Sequence, residues 1–294
     1  MKTLKMLLSF ALLFGPFPAQ AKEDGTRLKV VVTIAPLARF VSGVTQDTAD
    51  IVVMVPPGSD PHTYEPKPEQ LKELSSADVY VMLGSGMDFE RAWMDRLKAL
   101  NRKMLICDAG KGVELIDAEE HEHGREEFTH RHGNKDPHTW LSPANAVIMV
   151  RNIQKSLAAA NPDNTDFYAV NAREYIVELK RLDEELKEKL AAQKGGAFLV
   201  FHPAWGYFAK EFGLREIAVE VAGKEPSVRE LVQILEEAKE NKCRTVFISP
   251  QFSKRTAEVI AKEIGGTVVS VDSLSGDYEE NLRRVAEEFA KSME

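Results

Sequence analysis

Short apolar runs rich in Val, Ile and Leu recur at 28–34, 51–55, 79–83 and 104–107, and again at 197–201, 217–221, 245–249 and 267–271. Most lack the polar alternation of a half-exposed strand, which predicts strands of parallel sheets with helices on both faces. Helical periodicity separates them over 68–75, 89–100, 143–160, 205–212, 228–240, 254–264 and 279–292, and Ser227 with Glu230 forms a capping box at the start of one helix. The pattern predicts an α/β protein of two similar halves, each alternating strand and helix.

Asn161 and Pro162 close the helix over 143–160, and 165–193 then reads as one continuous helix. Tyr168, Ala172, Tyr175, Ile176, Leu179, Leu182, Leu186 and Leu190 fall on one face, while Glu, Lys and Arg at ion-pair spacings occupy the other. Such a helix spans roughly 43 Å, enough to run along two lobes, and is stiffer than a Gly/Ser linker. Gly195-Gly196 ends it.

The first residues break this pattern. Lys2 and Lys5 precede an apolar run over 6–14, and Ala19-Gln20-Ala21 offers a small-residue cleavage site. The apolar run is well short of the ~20 residues a membrane-spanning helix needs. The expected organisation is a cleaved signal peptide over 1–21, an amino-terminal lobe over 22–161, a linker helix over 162–194 and a carboxyl-terminal lobe over 195–294. No cysteine stands at the cleavage point, so no lipid anchor is expected. The chain has 294 residues, with 38 Lys and Arg against 46 Asp and Glu. Loss of Lys2 and Lys5 leaves 36 against 46, a mature net charge of -10. That balance argues against nucleic acid or anionic lipid as a partner. Export permits disulfides, yet Cys107 and Cys243 lie in different halves, and two unpaired, mostly buried cysteines are expected.

Four of the seven histidines, His121, His123, His130 and His132, lie within a stretch over 117–136 that also holds seven acids. This composition predicts a polar surface loop with metal affinity, weak because ordering a loop costs entropy. The plainer alternative is a solvated loop whose histidines do nothing. The other three differ, since each lies beyond the end of a predicted strand: His62 after 51–55, His138 after the loop that follows 104–107, and His202 directly after 197–201. Ligands of open parallel sheets bind outside the carboxyl ends of the strands, so two sheets facing across a cleft bring these histidines together. Asp272, directly after 267–271, falls in the same place. Singly, each has a plainer reading as a turn, core or capping residue. Together, three imidazoles and a carboxylate make a tetrahedral set suited to zinc.

Longer motifs surround these residues: 30–37 (Val-Val-Val-Thr-Ile-Ala-Pro-Leu), 61–66 (Pro-His-Thr-Tyr-Glu-Pro), 136–143 (Asp-Pro-His-Thr-Trp-Leu-Ser-Pro), 201–208 (Phe-His-Pro-Ala-Trp-Gly-Tyr-Phe), Glu225-Pro226-Ser227 and 249–252 (Ser-Pro-Gln-Phe). Over nearly its whole length the chain resembles the periplasmic solute-binding proteins of zinc- or manganese-type ATP-binding-cassette importers. The resemblance implies two lobes, each with a four-stranded parallel sheet flanked by helices, bridged by one long rigid helix with the metal between them. It also implies His62, His138 and His202 as ligands. In this family the third ligand is usually His in zinc members and Glu in manganese members, and imidazole at 202 favours zinc. Where the family often has Asp-Pro-Leu, this chain has Asp272-Ser273-Leu274, which leaves the fourth position to Asp272, Asp60 or water. Glu65 and nearby backbone carbonyls are candidates to fix the ring tautomers.

The function so implied is capture of zinc(II) in the periplasm, by a monomer, for an inner-membrane permease with a cytoplasmic ATPase. Manganese or copper transport is the neighbouring alternative. A zinc hydrolase is the rival from another class, although no His-Glu-x-x-His pair is present.

Overall fold

The computed structural model describes residues 27–118, 135–220 and 224–294. The expected cleavage site and the four loop histidines, His121, His123, His130 and His132, lie outside them.

All eight predicted strands form, in two four-stranded sheets that are parallel throughout. The first contains β1 (Leu28–Val32), β2 (Ala49–Val53), β3 (Val79–Met82) and β4 (Leu105–Asp108), in the order β2-β1-β3-β4. The second contains β5 (Ala197–Val200), β6 (Arg215–Ala218), β7 (Thr245–Ile248) and β8 (Thr267–Ser270), in the order β6-β5-β7-β8. The two halves thus share one topology, and in each the strand order reverses beside the first strand, where a crevice opens at the carboxyl ends. The central strands β1, β3, β5 and β7 are nearly all buried, which accounts for their unbroken apolar sequences.

The helices are α1 (Ala35–Thr45), α2 (Pro68–Ser75), α3 (Asp88–Leu100), α4 (Pro143–Ala160), α5 (Thr165–Lys189), α6 (Gly206–Phe212), α7 (Val228–Glu240), α8 (Lys254–Glu263) and α9 (Tyr278–Ser292). Ser227 and Glu230 make the expected reciprocal capping box on α7. Helix α1 is absent from the sequence reading, although Leu37, Phe40, Val41 and Val44 have helical spacing and are buried. Its Gly43 lies against α5, where a Cβ would come within 2.5 Å of the Tyr175 ring, so only glycine permits this approach.

The long helix α5 buries Tyr168, Ala172, Tyr175, Leu179, Leu182 and Leu186, six of its predicted stripe, and Ile176 is half-buried. One apolar core runs through both halves, from β1 and β3 through α4 and α5 to α9 and the inner face of β5 and β7. A second, smaller core lies between the other face of the second sheet and α7 and α8. Across the first core, Trp140 Nε1 donates to the Ser273 carbonyl at 2.7 Å and Tyr278 Oη donates to the Trp140 carbonyl at 2.7 Å. Tyr278 also meets Phe40 edge-on at 4.8 Å. These fully buried contacts make the halves a stiff pair, because a hinge motion must break hydrogen bonds that water cannot reach. Cys107 and Cys243 are free and buried, as expected.

Candidate metal centre

His62 sits in the loop between β2 and α2. An Asx turn shapes that loop: Asp60 Oδ1 accepts from the His62 backbone N–H at 2.9 Å, and Asp60 Oδ2 accepts from Thr63 Oγ1 at 3.0 Å. The Pro61 carbonyl accepts from the Phe89 N–H at 3.2 Å and ties the turn to the start of α3.

His138 opens the short helical turn Thr139–Leu141 ahead of α4. The same Asp-Pro-His device recurs here, with Asp136 Oδ1 accepting from the His138 backbone N–H at 2.8 Å. Ser85 Oγ donates to the Pro137 carbonyl at 2.6 Å, and Tyr207 Oη, from the other half, donates to the Asp136 carbonyl at 3.0 Å.

His202 lies two residues beyond the end of β5, after Phe201. The Phe252 ring stacks on it, with centroids 4.8 Å apart and planes within 23°.

The three imidazoles converge. His62 Nε2 lies 3.3 Å from His138 Nε2, and His202 Nε2 lies 3.4 Å from the same atom. Ligating atoms of all three are within 4.8 Å of one another, and this is the one such group among the described residues. Two nitrogens bound tetrahedrally to zinc at about 2.05 Å stand about 3.3 Å apart, so the observed spacing fits that ion.

Each ring is also turned the same way. Nδ1 of His62 meets Asp88 Oδ2 at 2.9 Å, Nδ1 of His138 meets Asp136 Oδ1 at 2.8 Å, and Nδ1 of His202 meets Glu220 Oε2 at 2.6 Å. A carboxylate at Nδ1 holds the proton there and leaves Nε2 with its lone pair. Three lone pairs then face one point and repel, unless a cation lies between them. The three carboxylates also supply the negative charge that a divalent ion needs nearby. Burial, reinforced by the neighbouring rings of His202 and His62, pulls the His138 pKa down to about 4 even though Asp136 acts in the opposite direction. His138 is therefore neutral, and ready to ligate, at physiological pH.

Sequence reasoning brought the three histidines together but missed their partners. Glu65 is exposed, and the ring partners are Asp88, Asp136 and Glu220. Asp136 left a readable sign in the sequence, and Glu220 becomes readable once the strand register is known. Asp-Pro-His occurs twice, at 60–62 and 136–138. In the second sheet, Val200 pairs with Ala218, and two residues further along each strand come His202 and Glu220. Asp88 left none, since it becomes a neighbour only through the fold of the α3 start onto the His62 turn.

Asp272 stands outside the histidine group. Its Oδ1 accepts from Gln251 Nε2 at 3.1 Å and from the Leu274 N–H at 3.0 Å. Asp60 is likewise occupied by its own turn. Gly206, at the start of α6, abuts the centre from the second half, and a Cβ there would lie 2.8 Å from Asp136 Oδ2.

Comparison with known proteins agrees with this geometry. The family described as zinc-uptake complex component A, periplasmic, matches residues 30–292. The high-affinity zinc uptake system protein ZnuA of Bacillus subtilis is 31% identical over 264 residues, covering 87% of this chain and 81% of that protein. The zinc-binding lipoprotein AdcA of Streptococcus pneumoniae is 30% identical over 302 residues, and the chain spans 59% of its length. A crystal structure of ZnuA superposes with a TM-score of 0.85 at 40% identity, covering 92% of this chain and all of that one. The chain belongs to the ZnuA family, the periplasmic A components of zinc-uptake complexes.

Proposed function

We propose that this chain captures zinc(II) in the periplasm through His62, His138 and His202 and delivers it to the permease of an ATP-binding-cassette importer. The observation that carries this reading is the orientation of the rings. The Nε2 atoms of His62 and His202 each stand at tetrahedral spacing from that of His138, and each of the three rings is fixed from behind by a carboxylate. Imidazole in place of carboxylate at position 202 favours zinc over manganese.

The protein is a solute-binding component and not a hydrolase, as its family is. No chemistry on the cargo is required, only deprotonated imidazoles and a shell that excludes competing ions. Among the described residues no helix is long and apolar enough to cross a membrane. Cleavage after Ala21 and release as a free monomer complete the proposal; intact-mass analysis of exported protein tests the first, and sedimentation of the same protein tests the second. The histidines of the 119–134 segment serve as a secondary, weaker zinc-collecting site.

Calorimetric titration at neutral pH tests the division of roles. His62→Ala and His202→Ala abolish tight zinc binding, whereas deletion of residues 119–132 leaves it intact. The reverse pattern contradicts the proposal.

A further inference from the structure

The connection from β3 to α3, residues 83–87, touches both histidine loops of the amino-terminal half. In its middle, Ser85 Oγ donates to the Pro137 carbonyl, next to His138, at 2.6 Å. At its far end α3 begins, where Asp88 Oδ2 meets His62 Nδ1 at 2.9 Å and the Phe89 N–H donates to the Pro61 carbonyl at 3.2 Å. His62 and His138 thus take their places from one short segment, whereas His202 is carried by the second sheet.

A buried carboxylate fixes that segment. Glu90, on the first turn of α3, is only 3% exposed. Its Oε1 accepts from the Leu83 N–H at 2.6 Å and from Thr33 Oγ1 at 2.7 Å, and its Oε2 accepts from the Gly84 N–H at 3.0 Å. Tyr80 Oη stands 3.1 Å from Thr33 Oγ1 and donates to it, since the Thr33 proton goes to Glu90. Gly84 has φ +72°, and a Cβ there would run into Asp108 Oδ1, so the turn is held between Glu90 on one side and the end of β4 on the other. Burying a carboxylate is unfavourable unless donors surround it. Here three donors do, and two of them are backbone groups whose direction sets the path of the chain out of β3.

We propose that Glu90 is a positioning residue of the metal centre: by holding Leu83 and Gly84 it places Ser85 and Asp88, and through them it sets the separation of His62 from His138. This rests on the reading of the histidines as the zinc ligands. Their Nε2 atoms stand 3.3 Å apart, the spacing a tetrahedral ion needs. Rings held at that spacing in advance lose little freedom when the ion arrives, which favours tight binding.

The test is Glu90→Gln in the full chain. The substitution keeps the shape but turns an amide donor toward a backbone N–H, whichever way the side chain lies. Zinc competition against a chromophoric chelator at pH 7.5 reads the affinity, and the imidazole nitrogen NMR signals of the metal-free protein read the rings one by one. The expected result is a loss of affinity of about tenfold or more, with the signals of His62 and His138 displaced and that of His202 unmoved. Ser85→Ala should displace His138 alone and Asp88→Asn His62 alone, and Glu90→Gln added to that pair should cost less than about threefold more. Parent affinity and signals in Glu90→Gln overturn the inference. Equal displacement of all three rings, or an undiminished loss in the Ser85→Ala, Asp88→Asn background, does so too. If melting shows Glu90→Gln to be unfolded, Thr33→Val, which removes one donor from Oε1, must displace the same two rings, and unmoved signals there overturn the inference. His62→Ala, run alongside, separates the two levels. If it binds zinc as the parent does, the histidine site itself is wrong. If it loses zinc while Glu90→Gln matches the parent, only the role of Glu90 is lost.

Discussion

The three carboxylates behind the histidines offer a graded test, since their hydrogen bonds are alike in length and their surroundings are not. Asp136 and Glu220 have side chains only 9% and 10% exposed, whereas Asp88 is 55% exposed. A charge in a low-dielectric pocket acts on a nearby cation more strongly than one screened by water. Replacing a carboxylate that orients a ligating histidine typically weakens metal binding 10- to 100-fold, which corresponds to about 1.4–2.7 kcal/mol. Asp136→Asn and Glu220→Gln should fall in that range, because each keeps an oxygen acceptor while losing the buried charge. Asp136→Asn is the cleaner of the two, as both bonds to His138 go to the single oxygen Oδ1, which the amide can supply. Asp88→Asn should cost less than tenfold, with its charge already largely screened by solvent. The assay is competition against a chromophoric zinc chelator at pH 7.5, with thermal melting of the metal-free proteins to confirm that each variant is folded. Equal losses at all three sites, or the greatest loss at Asp88, refute the argument from burial. No loss at any site refutes the assignment of the carboxylates as orienting partners.

Further predictions concern stability and pH. Glu211 Oε2 on α6 and Asp183 Oδ1 on α5 are both buried without a hydrogen-bond donor among the described residues, and burial, together with the nearby Asp183, pushes Glu211 up to about 7. The folded state therefore holds a proton that the unfolded chain has released, and stability is lost as pH rises from about 4.5 through about 7. Glu211→Gln should raise the melting temperature by a few degrees at pH 8 and change it little at pH 4.5, and equal effects at both contradict the shared-proton reading. His138 has the opposite sign: its folded value near 4 lies below the unfolded one near 6.5, so it removes up to about 3 kcal/mol as pH falls through that window. Metal-free Glu211→Gln, which lacks the compensating carboxyl, should show that acid loss more steeply than the parent in denaturant titrations. Zinc affinity should fall as pH drops below about 6.5, because protons compete for the imidazole nitrogens, and a flat profile from about pH 7 to about pH 4 contradicts histidine ligation. Tyr278→Phe leaves the buried Trp140 carbonyl without its donor and should cost about 1–3 kcal/mol in a single cooperative unfolding transition. Two separated transitions in that measurement, one per half, contradict the continuous core.

Much of this architecture is legible from local patterns. Buried parallel strands have to be apolar on both faces, so β1, β3, β5 and β7 stand out in the sequence, and the boundaries of α2, α4 and α7 follow from Pro68, Pro143 and the Ser227 cap. Helix α1 escaped because it follows β1 after only two residues and its apolar positions merge with the strand before it. The convergence of His62, His138 and His202 was also within reach, because a general rule places ligands at the carboxyl ends of parallel strands. The carboxylates behind them were not, apart from Asp136. Glu220 needs the β5–β6 register, and Asp88 needs the packing of α3 against a turn 26 positions earlier. The position of Asp272 depends on whether its carboxylate prefers an amide donor or a cation, and composition and spacing do not carry that balance.

X-ray absorption at the zinc edge, on protein lacking residues 119–132 and loaded with one equivalent of zinc, tests the central claim most directly. Three imidazole nitrogens at about 2.0 Å and no sulfur in the shell are the predicted result. A shell dominated by water oxygens, or the same imidazole signal after His62, His138 and His202 have been replaced together, contradicts it.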